Sequence, residues 1–209
     1  NTLNAMDSLF NFVPLPIVIL FFVFAAFKTN GLKFAIFTFA SLVFIDLLDV
    51  WEETMTTMAM IVTAVLFCCV IGIPVGILAS RNNTFEMILR PVLDVMQTIP
   101  SFVYLIPVVM LFGVGLTPGV IAIIIFSIAP VVRLTNLGLR QVGKGVIDAG
   151  RALGCSKLVI LYKIELPLAL KTILAGVNQT LMLSLSMAAI AALIGAGGLG
   201  LTVYVVLED

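Results

Sequence analysis

The stretch "GLRQVGKG", residues 138–145, sets Gly138, Gly143 and Lys144 at the spacing of a phosphate-binding P-loop, G-x-x-x-x-G-K-[ST]. In such a loop, backbone N–H groups and the lysine cradle phosphates, and the final hydroxyl holds magnesium. Gly145 stands where that hydroxyl belongs. The magnesium ligand is therefore missing, and nucleotide chemistry at this stretch is not expected. Other reactive groups are few. The chain has no histidine, which removes the commonest general base and a leading metal ligand. Cys68 and Cys69 are adjacent inside an apolar run, and Cys155 stands alone in a polar one. No zinc-type spacing or disulfide framework results, and the three read as small core-filling residues. Neither a catalytic set nor a metal site is expected.

The elements that must position the remaining polar groups follow from composition. Of 209 residues, 62% are hydrophobic and 11% charged, and the mean hydropathy is +1.25. A soluble domain is typically about half apolar and a quarter charged. An excess of this size does not fit inside one core at this length, so the expected solvent is a bilayer. A spanning helix needs about 20 mainly apolar residues. Six stretches qualify: 9–27, 33–50, 55–80, 91–112, 117–137 and 168–195. The predicted fold is all-α, a polytopic bundle of about six spans. Pro14 and Pro16 lie near the start of the first span, and Pro74, Pro100, Pro107 and Pro130 interrupt later ones. Membranes tolerate such breaks where neighbouring helices re-satisfy the freed carbonyls. Residues 1–54 form an N-terminal region of about two spans, 55–200 a core, and 201–209 a tail or the start of a further segment. The chain begins at Asn1, no cleavable signal pattern precedes the first apolar run, and the sequence reads as a trimmed form of a longer protein.

Basic residues orient the bundle. Lys28, Lys33, Arg81, Arg90, Arg133, Arg140, Lys144, Arg151, Lys157, Lys163 and Lys171 all fall at one set of span ends if 138–167 is cytoplasmic. The opposite ends carry Asp7, Asp49, Glu52, Glu53, Glu208 and Asp209. This is the positive-inside asymmetry, and it sets the N-terminus outside.

Only the connection over 138–167 is long. Val146, Ala149, Gly150 and Leu153 recur at helical spacing, which predicts a short helix at about 146–155 with a small-residue apolar face. Asp148 is expected in its first turn, where a negative charge suits the dipole, and Gly154 in a left-handed cap. A second short helix is predicted from Ser156 to Glu165, with Pro167 in the first turn of the last span. A smooth helix tethered by two spans suits docking into a groove on another protein. On these grounds alone, a loop lying on lipid headgroups is equally open.

The connection resembles the signature of permease subunits of bacterial ABC importers: E-A-A, three residues, G, nine residues, I-x-L-P. Here it reads Asp148-Ala149-Gly150, three residues, Gly154, nine residues, Ile164-Glu165-Leu166-Pro167. Aspartate keeps the charge of the usual glutamate, and Gly150 replaces the second alanine. The resemblance implies a type I ABC importer permease fold, multi-pass in a bacterial cytoplasmic (inner) membrane. It further implies that Asp148, Ala149, Gly150, Gly154, Ile164, Leu166 and Pro167 serve a coupling helix that enters a cleft on a separate ATPase. The implied partners are two ATPase subunits that bind ATP and magnesium, a second permease copy forming a homodimer, an extracytoplasmic substrate-binding protein and membrane lipid, without nucleic acid. "RPVLDVMQTIPSFVYLIPVVMLFGVG" (90–115), "PVVRLTNLGLRQV" (130–142) and "AGVNQTLMLSLSMAAIAALIGAGGLG" (175–200) are similar to glycine betaine/proline betaine permeases, of the osmoprotectant and quaternary-amine importers. A methionine or other amino-acid importer is the alternative within that class. A secondary transporter or channel is a different class, and it usually places charges mid-membrane; here only Asp46 is a main candidate, with Asp49 and Asp94 near ends. A membrane scaffold leaves the signature unexplained.

A quaternary ammonium without deep carboxylates needs aromatic faces, each worth about 0.5–2 kcal/mol. Phe102, Tyr104 and Phe112 lie in the proline-broken fourth span beside Gln97, Thr98 and Ser101. Broken helices commonly line transport routes. Asn178, Gln179, Thr180, Ser184 and Ser186 give the sixth span a comparable set. The candidate path is Gln97, Thr98, Ser101, Phe102, Tyr104, Asn178, Gln179 and Ser184, weighed against ordinary helix packing and interhelical hydrogen bonding. Gly72-x-x-x-Gly76 reads as a close helix crossing, and Gly195–Gly200 as a tight turn.

Overall fold

The computed structural model describes residues 15–208; the expected start of the first span with Pro14, and Asp7 and Asp209, lie outside them. Apart from short turns these residues are helical, with no strand among them. Helices α1 (Leu15–Asn30) and α2 (Leu32–Leu47) form a hairpin. The rest are α3 (Trp51–Arg81), α4 (Asn83–Thr98), a 3₁₀ turn (Ser101–Tyr104), α5 (Leu105–Phe112), α6 (Leu116–Arg140), α7 (Lys144–Ala152), α8 (Lys157–Ile160), a π turn (Leu161–Glu165), α9 (Leu166–Ala191), a second 3₁₀ turn (Ala192–Ile194) and α10 (Leu199–Glu208).

Among the described residues three helices are long and apolar enough to cross a bilayer: α3, α6, and the continuous run Lys157–Ile194 that joins α8, the π turn, α9 and the 3₁₀ turn after it. The expected six spans are not all matched. Helix α2 has 16 residues, roughly 24 Å of rise against a hydrocarbon core of about 30 Å, and α1 shows 16 among the described residues, the expected span 9–27 beginning outside them. The expected span 91–112 is two pieces bent by 108°. Its break is local chemistry. Ile99 precedes Pro100 and is held extended, with ψ 131°, because the proline ring disfavours a helical residue before it. Pro100 has no N–H to give the carbonyl of Met96, and the Tyr104 hydroxyl donates to that carbonyl at 2.8 Å. Pro74, Pro107 and Pro130, expected as interruptions, remain inside helices.

The core is the seam of α3, α6 and α9. Met60, Ile61, Ala64, Ile123, Met187 and Ala191 are buried there. Small residues let the backbones approach, the usual way membrane helices gain packing. A Cβ on Gly76 would lie 2.6 Å from Thr135 Cβ and 2.8 Å from the Val132 carbonyl, and one on Gly72 2.5 Å from Val131 Cγ1. The G-x-x-x-G pair is thus a close crossing. Gly195, Gly197 and Gly198 all have φ between 72° and 77°, so the run before α10 is a tight turn of the kind glycine permits. Leu199 N–H donates to Thr57 Oγ1 at 2.9 Å and ties that turn to α3.

Candidate coupling surface and the charged end of the bundle

Helix α7 ends as the sequence predicts. Gly154 has φ +79°, its N–H donates to Arg151 O at 2.9 Å, and Cys155 N–H donates to Gly150 O at 3.1 Å. These two bonds form a Schellman cap, which only a left-handed residue closes without strain. The start differs from expectation. The helix begins at Lys144, so Asp148 falls past the first turn and its carboxylate accepts from Arg151 Nη1 at 3.2 Å instead. The predicted face divides in two. Val146, Ala149 and Leu153 are exposed, Leu153 at 84%. Gly150 turns inward, where a Cβ would lie 2.8 Å from Ile164 Cδ1. Glycine here permits a close approach to Ile160 and Ile164.

The predicted second short helix is not separate. Ser156 caps α8, its Oγ accepting from Val159 N–H at 3.4 Å, and the chain then passes through the π turn directly into α9. Leu166 N–H reaches back to Leu161 O, the five-residue step of a π bulge, a feature frequent at functional sites. Pro167 lies in the first turn of α9. Gly138, first residue of the P-loop-like string, lies inside α6, where a Cβ would be 2.9 Å from Thr172 Cβ. It belongs to helix packing, and only residues 141–143 of the string lie outside a helix.

Sequence reasoning missed one residue in its own motif. Glu165, 2% exposed, is the only buried charged residue among those described. Arg81 at the end of α3 engages both its oxygens: Nη1 donates to Oε1 at 3.1 Å, and Nη2 donates to Oε2. A carboxylate two residues before a helix-starting proline was the available signal, but its partner is 84 positions away.

A second charged cluster joins α4 to α6 at the same end. Arg140 donates to Asn83 Oδ1, the Ala79 carbonyl and Asn136 Oδ1, each at 2.9 Å, and lies 3.1 Å from Glu86. Arg133 pairs with Asp94 at 2.7 Å. These groups surround a cavity of about 290 Å³, which Arg90 also lines. Arg81, Arg90, Arg133 and Arg140 therefore gather with carboxylates at one end of the bundle.

The candidate path residues differ in exposure. Gln97, Thr98 and Phe102 are exposed around the α4–α5 bend, and Ser101 is half-buried. Thr98 Oγ1 donates to Val95 O at 3.1 Å. Tyr104 is half-buried, its ring centroid 5.9 Å from that of Phe126. Asn178 and Gln179 are exposed on α9. Ser184 is fully buried in the α6–α9 seam. Its Oγ lies 3.0 Å from Ser127 Oγ and 2.9 Å from the Thr180 carbonyl, one proton serving both. Asp46 lies exposed in the last turn of α2.

The chain belongs to the family described as binding-protein-dependent transport system inner membrane component, whose model matches residues 72–208. Over 198 residues it is 48% identical to the glycine betaine/proline betaine transport system permease protein ProW of Escherichia coli (strain K12), covering 95% of this chain and 56% of that one. It is 45% identical to the glycine betaine transport system permease protein OpuAB of Bacillus subtilis (strain 168), covering 91% of this chain and 68% of that one. The chain thus spans about half the length of the Escherichia coli relative. A solved structure of the MetNI methionine ABC transporter in an inward-facing conformation superposes with TM-score 0.65 at 26% identity, covering 71% of this chain and 76% of that one.

Proposed function

We propose that this chain is the membrane permease of an ATP-driven importer for glycine betaine or a related methylated amine. Helix α7 is the element that meets a separate ATPase. The observation that carries this reading is the open face of α7: Val146, Ala149 and Leu153 are exposed, while Gly150 seats the helix against Ile160 of α8 and Ile164 of the π turn. An apolar face that the protein leaves uncovered, held rigidly to a long span, suits a groove in another subunit. The names of the relatives at 45–48% identity support the cargo class. The methionine transporter stands at 26%.

In this reading two ATPases hydrolyse ATP with magnesium, a second permease copy completes the path, and an external binding protein delivers cargo. The path residues are Gln97, Thr98, Ser101, Phe102, Tyr104, Asn178 and Gln179, with Ser184 acting from within the seam. The one-sided basic residues put α7 and Cys155 in the cytoplasm. Cys155, half-buried after the cap, should react with a membrane-impermeant thiol reagent from the cytoplasmic face alone; labelling from outside intact cells would reverse the orientation. Function is tested in proteoliposomes holding the full-length permease, its ATPase and its binding protein. Radiolabelled betaine should enter only with ATP, and methylated amines should compete where methionine does not. Entry without ATP, or strong competition by methionine, would overturn the reading.

A further inference from the structure

Helix α7 reaches the spans by three routes. Two are covalent, through residues 141–143 to the end of α6 and through α8 and the π turn into α9. The third runs through side chains. Ile160 and Ile164 lie against Gly150 of α7, Glu165 is the next residue, and both of its oxygens are held by Arg81 at the end of α3. Helix α3 in turn crosses α6 at Gly72 and Gly76 with the backbones nearly in contact. The pair itself lines a cleft of about 600 Å³ together with Ile77, Ser80, Ile147, Arg151, Lys157 and Leu158. It is a polar tie between α3 and the π turn, beside the apolar cluster that Ile77, Ile147 and Leu161 join.

The geometry is that of a rigid link. A bidentate guanidinium–carboxylate pair fixes both distance and angle, which a lysine cannot do. Its carboxylate is buried, so parting the two groups leaves an uncompensated charge. The π turn sits where the fixed residue must face α3 while the chain continues into α9.

We infer that Arg81 and Glu165 form a positioning clamp that hands the motion of α7 to α3, so that one displacement by the ATPase moves α3 and α9 together. Neither residue touches cargo or nucleotide. The inference rests on α7 being the coupling element. Without the clamp α6 and α9 follow α7 through the chain, while α3 follows only through its packing on α6 and lags.

The test uses the full assembly of permease, ATPase and binding protein in proteoliposomes, with Arg81→Gln, Glu165→Gln and the double variant. The double variant buries no unpaired charge and guards against loss of folding. Each single change should lower betaine uptake per ATP hydrolysed at least about tenfold, with hydrolysis retained. In the double variant the loss should match a single loss, as expected for one interaction. Arg81→Lys, keeping one charged contact, should fall in between. Losses that multiply, or hydrolysis falling in step with uptake, would reduce the pair to a fold-stabilising contact and overturn the clamp. Betaine uptake by the wild type decides the cargo separately. Amide hydrogen exchange over residues 157–165 in the detergent-purified assembly needs no cargo. It should quicken about tenfold in Glu165→Gln, and unchanged exchange would refute the clamp.

Discussion

Two helix contacts in this protein use glycine in opposite ways. At the crossing of α3 and α6, Gly72 and Gly76 bring two long helices together; an added Cβ meets the short branched side chain of Val131 at Gly72, and Thr135 Cβ and the Val132 carbonyl at Gly76. At α7, Gly150 meets only the side chains of Ile164 and Ile160, and Gly154 has nothing within reach of its missing Cβ. The first contact is continuous along the membrane-spanning core. The second is one residue wide and is completed by a cap. The α3–α6 crossing is built to stay in register, whereas α7 is held by its end geometry and by what lies beneath it.

Substitutions should separate the two. Gly76→Leu should have the largest effect. Its Cβ would lie 2.8 Å from the Val132 carbonyl, and overpacking of this kind costs about 3 kcal/mol or more where the backbone must move. The expected result is loss of monodisperse protein in detergent; a normal melting temperature would mean that the crossing yields easily. Gly154→Val comes next. A β-branched residue at φ +79° carries about 1–3 kcal/mol of strain, confined to the end of α7. Membrane insertion and melting should stay near wild type while ATP-driven uptake fails. Wild-type uptake would free this helix from any coupling role.

Ser184→Ala probes the seam between α6 and α9. It removes the contact to Ser127 and should cost about 0.6 kcal/mol, the usual size of such bonds between membrane helices. A thermal-melting series checks this, and a several-fold larger loss would assign Ser184 more than packing. Asp148→Ala should be smallest. Its partner Arg151 lies on the same exposed face at 3.2 Å, and such surface pairs contribute about 0–0.5 kcal/mol. A destabilisation exceeding that of Ser184→Ala would mean that α7 depends on this pair for its structure.

Much of this was legible in the sequence because it depends on local chemistry. The cap at Gly154, the G-x-x-x-G crossing and the glycine turn near residue 198 each follow from what one residue type permits in the backbone. The apolar runs located α3, α6 and α9 to within a few residues. What sequence could not give depends on distance in the chain. Arg81 and Glu165 are 84 positions apart, and hydropathy carries no information on which charge meets which. The fourth apolar run counted as one span because hydropathy averages across Pro100, while the backbone turns there through 108°. Asp148 was misplaced because Lys144 starts the helix two residues before its first apolar residue. Ser184 looked like Ser186, two residues on, until packing buried one and exposed the other.

The bend after α4 has a consequence for which sequences this fold accepts. Pro100 leaves the Met96 carbonyl without its amide, and Tyr104 fills that vacancy with its hydroxyl. The two residues are therefore interdependent: the tyrosine repairs a defect that the proline creates. Replacing Tyr104 with phenylalanine strands a carbonyl only while residue 100 is proline. With alanine at 100 an amide returns, and the tyrosine hydroxyl becomes dispensable. Tolerance at one position is thus set by the occupant of the other, so this corner of the protein is open to paired changes and closed to the single step at Tyr104.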